Sequence, residues 1–325
     1  MFFHFRGLMK RSRGSRPLAT LAVLAGLAAY GCEPGDEGST LRRGDQAFAR
    51  DSLEEALAEY RLAVRQAGED ADVLGRVGHT YATLRRVDEA ADFYARAAEK
   101  DERWADLGAA DLVHLAREAA LENDPFLMAS AMEVVRTLRP GVTVPELTLP
   151  LARHYFQTGE YGRALPLYQR ALSEERDSLP SVVLEIGQAH EQIGDCPSAL
   201  VFFERYRGLV RPGAQGEADW YIGNCSFQVA RELRDRGGDT ALEEALRHVN
   251  RTLEMGEPRN LLGQAWFEKG EILSELGDCD GSLEAFSQVR YYEPSSSSAL
   301  VRRAQQRFDE IRFGSGLREL RGRCG

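Results

Sequence analysis

The sequence predicts an all-α fold, a solenoid built from antiparallel helix pairs. Small and aromatic residues recur with a period of about 34 residues, as between Gly44 and Gly78. Residues that end helices, such as Gly159 and Gly194, agree with this period. No apolar run alternates as a strand bounded by turn dipeptides would. Period, internal spacing and helix ends therefore indicate the same helical repeat.

Composition and charge exclude several other classes of protein. The chain has 325 residues, of which 43% are hydrophobic and 28% are charged. Such a chain has material for a large core and is not a disordered or low-complexity protein. The net charge is −10. Unless charge is strongly segregated, this excludes a broad basic surface, so we expect no nucleic-acid partner.

Residues 1–31 have the pattern of an export signal. Basic residues at positions 10, 11, 13 and 16 precede an apolar run over residues 18–30. The run is about 13 residues long, whereas a membrane-spanning helix needs roughly 20, which favours a cleaved signal over a transmembrane anchor. Met9 is an alternative start, because residues 1–8 add nothing that the signal needs.

Residues 27–32, with the sequence LAAYGC, resemble a bacterial lipobox. The resemblance implies that Cys32 begins the mature chain, with diacylglycerol on its thiol and a further acyl chain, such as palmitate, on its amine. Several acyl chains together anchor a protein durably. The alternative is an ordinary signal peptide with a chance cysteine. Residues 32–40 are predicted to be the lipidated cysteine and a flexible polar tether. Glu33 replaces the Asp that retains lipoproteins in the inner membrane, which favours the outer membrane in a Gram-negative source and leaves the sorting open.

The rest of the chain repeats one pattern of small and aromatic residues. From Gly78 the pattern continues through Tyr81, Ala90, Tyr94 and Ala97. The small residues allow two antiparallel helices to approach closely, and the aromatic ones fill the hollows between units. The same pattern recurs at Gly44, Ala56, Tyr60 and Ala63; at Ala152, Tyr155, Ala164, Tyr168 and Ala171; at Gly187, Gly194, Ala199 and Phe203; and at Trp266, Gly270, Gly277, Phe286 and Pro294.

This pattern resembles the tetratricopeptide repeat (TPR), a helix-turn-helix unit of about 34 residues. The resemblance covers residues 41–312 and implies a right-handed superhelical solenoid of about seven units with a C-terminal capping helix. The third unit, near residues 105–140, lacks the aromatic positions. In the sixth, the distance from Gly223 to Ala245 is much longer than the corresponding distance in the other units, which predicts an extended first helix and a longer turn. Residues 313–325 form a C-terminal tail.

The chain from residue 302 onward is locally basic, with seven arginines against three acidic residues. This region is interpreted as an ordinary solvated capping helix with its tail. The alternative is contact with anionic lipid headgroups or with an acidic partner.

Four cysteines remain after Cys32, and an oxidising compartment favours two disulfides among three possible pairings. Cys196 and Cys279 occupy the same turn in units five and seven. Cys225 lies in the neighbouring first helix and Cys324 lies in the tail. We expect Cys196 to pair with Cys225 and Cys279 with Cys324. A metal site is the alternative, but the chain has no CxxC motif and no histidine pair with ligand spacing.

No pattern in the sequence indicates catalysis. The histidines that follow the signal, at positions 79, 114, 154, 190 and 248, are scattered along the repeats. The motifs GxSxG, HExxH and GxxxxGK[ST] are absent from the sequence. We therefore expect no enzymatic activity, no cofactor and no metal.

In the TPR family the first helices of the units line a concave groove that binds partners. The resemblance assigns this role to Arg117, Arg153, Phe156, Gln157, Gln188, Glu191, Trp220, Asn224, Phe227, Phe267 and Glu271. Of these, Trp220, Phe227 and Phe267 are predicted to form an aromatic cluster that anchors a peptide. The alternative is that Trp220 and Phe227 pack against the irregular sixth unit.

The sequence therefore predicts a lipid-anchored protein of the bacterial envelope that holds other envelope proteins or peptides. Its mechanism is binding alone. The alternative from a different class is an accessory protein that binds a small ligand or glycan between the three aromatic rings. A closed pocket among those rings would favour that alternative over an open groove.

Overall fold

The computed structural model describes residues 37–174, 179–293, 298–314 and residue 324. The first eight α-helices are α1 (Glu37–Ala49), α2 (Leu53–Ala67), α3 (Ala71–Thr83), α4 (Val87–Lys100), α5 (Arg103–Leu121), α6 (Pro125–Leu138), α7 (Pro145–Gln157) and α8 (Tyr161–Glu174). The next seven are α9 (Pro180–Gln192), α10 (Cys196–Leu209), α11 (Gly216–Arg236), α12 (Asp239–Met255), α13 (Leu262–Leu276), α14 (Cys279–Tyr292) and α15 (Ala299–Phe313).

The helices form seven pairs and one additional helix. Each odd-numbered helix from α1 to α13 packs most extensively against the even-numbered helix that follows it, and α15 packs on α14 and α13. We call the odd-numbered member of each pair its first helix. Residues 37–174, 179–293 and 298–314 contain no β-strand. The predicted all-α solenoid of seven helix pairs with a capping helix is confirmed.

The paired helices approach closely where the sequence places glycine opposite an aromatic ring. A Cβ atom on Gly187 would lie 2.6 Å from the ring of Phe203, and one on Gly270 would lie 2.7 Å from the ring of Phe286. Both rings are almost completely buried. Each glycine therefore makes room for the aromatic residue of the following helix, which is the packing that the repeat pattern predicts.

Short turns with defined ends set the antiparallel direction of each pair. Gly194 and Gly277 adopt left-handed φ angles of 80° and 90° in the turns of units five and seven. The next helix then begins with a capping aspartate, because Asp195 and Asp278 accept hydrogen bonds from the main-chain N–H groups of Ser198 and Gly281. A left-handed residue followed by an aspartate cap thus stops one helix and starts the next.

Helix α1 begins earlier than the sequence predicts. Residues 37–40, assigned to the flexible tether, form its first turn. Thr40 is buried, and its hydroxyl donates a hydrogen bond of 3.0 Å to Oε1 of Gln66. The last four residues of the predicted tether are therefore helical, and Thr40 among them contacts α2. Cys32, the signal sequence and residues 33–36 lie outside the described residues, as do residues 315–323 of the tail.

The excess length of unit six lies in its helices. Helices α11 and α12 contain 21 and 17 residues, compared with 13 and 14 in α9 and α10. The extended first helix is therefore confirmed, but the longer turn is wrong. Only Gly237 and Gly238 separate the two helices, and both have positive φ angles, so the chain reverses within these two glycines.

Two cysteine pairs join units in the second half of the chain. Cys196 at the start of α10 pairs with Cys225 of α11, with a Cα–Cα distance of 5.1 Å. Cys279 at the start of α14 pairs with Cys324, with a Cα–Cα distance of 5.5 Å. These placements are compatible with the two disulfides that the sequence predicts.

Candidate binding surface on the first helices

All the predicted groove residues lie on first helices, from Arg117 on α5 to Glu271 on α13. We call the side of these helices that carries them the first-helix face. The residues are distributed over five consecutive units, so the face runs along the solenoid. Whether each side chain is buried, bonded or exposed decides which of them a partner could contact.

Most polar side chains of the first-helix face are engaged with the next first helix. The Arg117 Nε atom lies 2.7 Å from Glu146 Oε1 of α7. The Arg153 Nε atom lies 3.1 Å from Glu185 Oε2 of α9. Each arginine of the groove therefore bonds to a carboxylate about one repeat later and connects adjacent units.

Amides and carboxylates continue the same connections further along the chain. Gln188 donates a hydrogen bond of 2.7 Å to the hydroxyl of Tyr221, and Asn224 donates one of 2.8 Å to Glu191. Burial raises the pKa of Glu191. Glu271 forms a 2.7 Å ion pair with Arg307 of α15. These side chains hold the stack together, so a partner would have to displace internal bonds to use them.

The predicted aromatic cluster is divided by burial. Phe227 and Phe267 are only 5% and 7% exposed, whereas Trp220 is 42% exposed. Phe156 is half-buried and meets the rings of Tyr161 and Tyr168. The three rings of the cluster therefore do not form one accessible platform. Phe227 follows the packing alternative, and Trp220 remains accessible.

An open cavity of about 500 Å³ lies between α11, α13 and α15. Phe227 and Phe267 form part of its wall, and Trp220 is outside it. Further lining residues are Arg231, Arg234, Asp235, Gln264, Glu268, Glu293, Ala299, Leu300 and Arg303. We call this space the C-terminal cavity. The groove positions of a repeat do not predict this cavity, because Arg231 and Arg234 lie beyond them.

Arg234, in the wall of the C-terminal cavity, is already paired with neighbouring carboxylates. Arg234 Nη1 lies 2.6 Å from Glu268 Oε1, and Arg234 Nε lies 3.5 Å from Glu275. Burial raises the pKa of Glu268, and the neighbouring arginine opposes that rise. The guanidinium of Arg303 lies over the ring of Phe267, with its carbon 4.9 Å from the ring centre.

A second cavity, of about 320 Å³, lies between α1, α3 and α5. Its wall includes Phe48, His79, Asp111, His114 and Glu118. The structure thus brings together two histidines that lie in different units of the sequence. The two histidines are separated by about one repeat in the sequence, and this spacing is the feature from which the pair could have been predicted.

His79 belongs to a hydrogen-bonded chain with two other side chains. Its Nδ1 atom lies 2.6 Å from Asp111 Oδ2, and the Tyr94 hydroxyl donates to the same carboxylate. The hydrogen bond to Asp111 raises the pKa of His79. Burial opposes ionisation of Asp111, but the bonds from His79 and Tyr94 keep its pKa below the ordinary value.

A related arrangement occurs between the first two units, with the carboxylate on the earlier first helix and an arginine on the later one. The Tyr60 hydroxyl donates a 2.8 Å hydrogen bond to Asp45, whose carboxylate also pairs with Arg76 at 3.0 Å. In both places a tyrosine, a carboxylate and a cation connect two adjacent units. His79 is the cation whose charge changes near neutral pH. This recurrence favours a structural role for His79 over a catalytic one.

The described residues contain no group of three or more His, Cys, Asp or Glu side chains arranged to hold a metal ion. In the same part of the chain, no helix combines the length and apolar character needed to cross a membrane.

Comparison with known proteins supports the repeat assignment. Residues 149–217, from within α7 to the start of α11, match the tetratricopeptide repeat family. This segment therefore resembles the tetratricopeptide repeat, a unit that generally mediates protein–protein interaction.

Two curated relatives match this chain at low identity. The TPR repeat-containing protein MJ1428 of Methanocaldococcus jannaschii is 26% identical over an alignment of 166 residues that covers 44% of this chain and 29% of the relative. The CTR9 homolog of Arabidopsis thaliana is 23% identical over 193 residues, or 59% of this chain and 15% of the relative. The chain thus spans less than a third of either protein.

Solved structures of other proteins align with much of this chain at low identity. A structure of Naa15/Naa10 bound to HypK-THB aligns with 84% of this chain and 39% of its own, at 13% identity and a TM-score of 0.43. The TPR domain of P58(IPK) aligns with 85% of this chain and 99% of its own, at 14% identity and a TM-score of 0.32. At these TM-scores the likeness says nothing about function.

Proposed function

We propose that this protein is a lipid-anchored interaction scaffold of the bacterial cell envelope that binds a polypeptide partner on its first-helix face. It acts by binding, without catalysis and without a cofactor. The observation that carries the proposal is the open C-terminal cavity, bordered by the same helix that exposes Trp220. Aromatic rings beside an open cavity are the usual anchors of a polypeptide partner.

The location rests on the sequence before the first helix. The basic residues, the short apolar run and Cys32 support export and lipidation, with the outer membrane as the favoured destination. The cysteine pairs Cys196–Cys225 and Cys279–Cys324 support an oxidising compartment, because such pairs persist outside the cytosol.

The binding role is tested by capturing partners in the native source. Tagged protein is cross-linked in living cells, extracted from membranes in mild detergent, and compared with the variant Trp220→Ala. Val201→Ala is the matched control, because Val201 is 67% exposed and lies on the second helix α10. We expect defined envelope proteins with the wild type and the control, and loss of them with Trp220→Ala.

The opposite result would be recovery of the same proteins with Trp220→Ala, or of none with the wild type. The Trp220 change is preferred to Phe227→Ala because Phe227 is buried, so its truncation would damage packing as well as binding. Absence of any captured protein would favour the small-ligand or glycan alternative. That alternative has less support, since the cavity is open and Trp220 lies outside it.

A further inference from the structure

The C-terminal cavity is built from parts that the neighbouring unit lacks. In unit five the first helix ends at Gln192, soon after the small residue Gly187. In unit six α11 continues well beyond the corresponding Gly223, as far as Arg236. The cavity residues at positions 231, 234 and 235 therefore stand on additional helical turns, and α15 supplies the opposite wall.

Among the described residues, only some of the charged side chains in the cavity wall are paired with each other. Arg234 is already paired with Glu268. The Glu293 carboxylate rests against the first turn of α13, since a Cβ atom on Gly263 would lie 2.5 Å from its Oε1. The positive end of a helix dipole favours a carboxylate at that position. Two of the three acidic residues in the wall, Glu268 and Glu293, therefore already have favourable electrostatic partners.

Two guanidinium groups remain without a carboxylate in contact. Neither Arg231 nor Arg303 lies within ion-pair distance of an acidic side chain in the described part of the chain, although the charge of Arg231 lowers the pKa of Glu268 from further away. Arg303 stacks on Phe267, an arrangement that leaves the in-plane N–H groups of the guanidinium available to an acceptor. The remaining acidic side chain, Asp235, is exposed at the rim.

The cavity also offers an apolar surface beside these cations. Phe227 and Phe267 are buried rings in its wall, and Leu300 of α15, which packs on the cluster containing Phe267, lines the same space. An apolar group that enters this space would contact carbon atoms on two sides. The site therefore combines two donors for a planar anion with a place for an apolar neighbour.

We propose that the C-terminal cavity binds an acidic side chain of a partner polypeptide, with an apolar residue next to it in the partner's sequence. The carboxylate accepts hydrogen bonds from Arg231 and Arg303, and the apolar neighbour packs against Phe227 and Leu300. This inference rests on the proposed function, because it names the chemistry of the segment that the scaffold holds. The open form of the cavity suits a continuous chain, which can enter and leave on the solvent side.

The test uses two blocked peptides and the full protein in detergent. The probes are acetyl-Gly-Leu-Glu-Leu-Gly-amide and the same peptide with Gln in place of Glu, with binding followed by NMR. We expect the Glu peptide to bind about tenfold more tightly, the order of a charge-assisted hydrogen bond. Arg231→Gln and Arg303→Gln should each remove most of this preference.

Matched measurements separate binding from folding and from other sources of carboxylate. Arg61→Gln is the control, because Arg61 is exposed on α2, and it should keep the preference. All variants should have the melting temperature of the wild type within a few degrees. N-acetylglutamate is the third probe, and it should bind more weakly than the Glu peptide because it lacks the apolar neighbours.

Three results would overturn the inference: equal binding of the Glu and Gln peptides, no binding of either, or an unchanged preference in both arginine variants. Binding of N-acetylglutamate as tightly as the peptide would assign the cavity to a small acid instead. The capture experiment keeps the two proposals apart. Partners that depend on Trp220 but not on Arg231 or Arg303 would leave the scaffold role standing and remove this inference alone.

Discussion

His79 and Asp111 form a joint between the second and third units, with their Nδ1 and Oδ2 atoms 2.6 Å apart. The neighbouring joint pairs Asp45 of the first unit with Arg76 of the second. Both carboxylates also accept a hydrogen bond from the tyrosine hydroxyl of a second helix. The two joints differ chiefly in whether the cation titrates near neutral pH.

The first prediction concerns the pH dependence of stability. The raised pKa of His79 means that its pairing stabilises the fold fully below the unfolded pKa, and that this contribution is lost as the pH rises through the folded pKa. The lowered pKa of Asp111 means that its contribution is present above its unfolded value and is lost in acid. His79→Gln should therefore destabilise the protein more at pH 6 than at pH 9, by less than about 1 kcal/mol because His79 is half-exposed.

Urea unfolding at several pH values measures this difference in the free energy of unfolding. Arg76→Gln is the control, because a guanidinium stays charged over this range and its loss should cost the same at each pH. An identical pH profile for both variants would contradict the role assigned to His79.

The second prediction concerns the glycines that face aromatic rings. Gly187→Ala should destabilise the protein by roughly 1–3 kcal/mol, because its Cβ would lie 2.6 Å from the buried Phe203 ring. Gly208→Ala on α10 is the control, since a Cβ there meets nothing within 4 Å. It should be neutral or stabilising by up to about 1 kcal/mol, as helix propensity predicts. Equal effects in thermal unfolding would contradict the close approach.

The third prediction concerns the two cysteine pairs. Cys196 and Cys225 are buried, whereas Cys279 and Cys324 are partly accessible. Mild reductant should therefore open the Cys279–Cys324 bond first, which peptide mapping under non-reducing conditions would show. Replacing both Cys196 and Cys225 by Ser should lower the free energy of unfolding by about 3 kcal/mol, by the loop-entropy argument. Four free thiols in protein from the native source would contradict both the bonds and the exported location.

The fourth prediction concerns the anchor. Cys32→Ala should abolish labelling by a lipid precursor and release the protein from membranes, because the acyl chains would be lost. Metabolic labelling and membrane fractionation measure the two effects. Membrane association that persists without labelling would mean that a partner, not lipid, holds the protein.

The packing of the repeats was predictable because it depends on local spacing. Gly187 and Phe203 belong to the two helices of one unit, and their contact follows from the geometry of that pair. The insertion in unit six was also visible. The sequence did not show how the additional residues divide between the helices and the turn, because spacing alone does not reveal that Gly237 and Gly238 form the whole turn.

The position of the predicted groove residues on first helices could be derived from the sequence, but the bonds that these side chains form could not. The repeat register placed Arg153 and Asn224 on first helices correctly, yet a register does not show which side chains bond to each other. Arg153 bonds to Glu185 and Asn224 to Glu191, pairs about one repeat apart that a search for opposite or complementary groups at that separation would have found. The burial of Phe227 depends on how α11, α13 and α15 pack, which no single repeat contains.

The early start of α1 has a consequence for how the protein searches for its partner. With lipid on Cys32, five Cα–Cα steps lead to Glu37, a reach of at most about 18 Å. Under the proposed lipidation, the first unit would lie beside the headgroup layer and the solenoid would move with the membrane surface. A partner in the same leaflet would be found by lateral diffusion in two dimensions, so that modest affinity at the binding surface suffices for stable pairing.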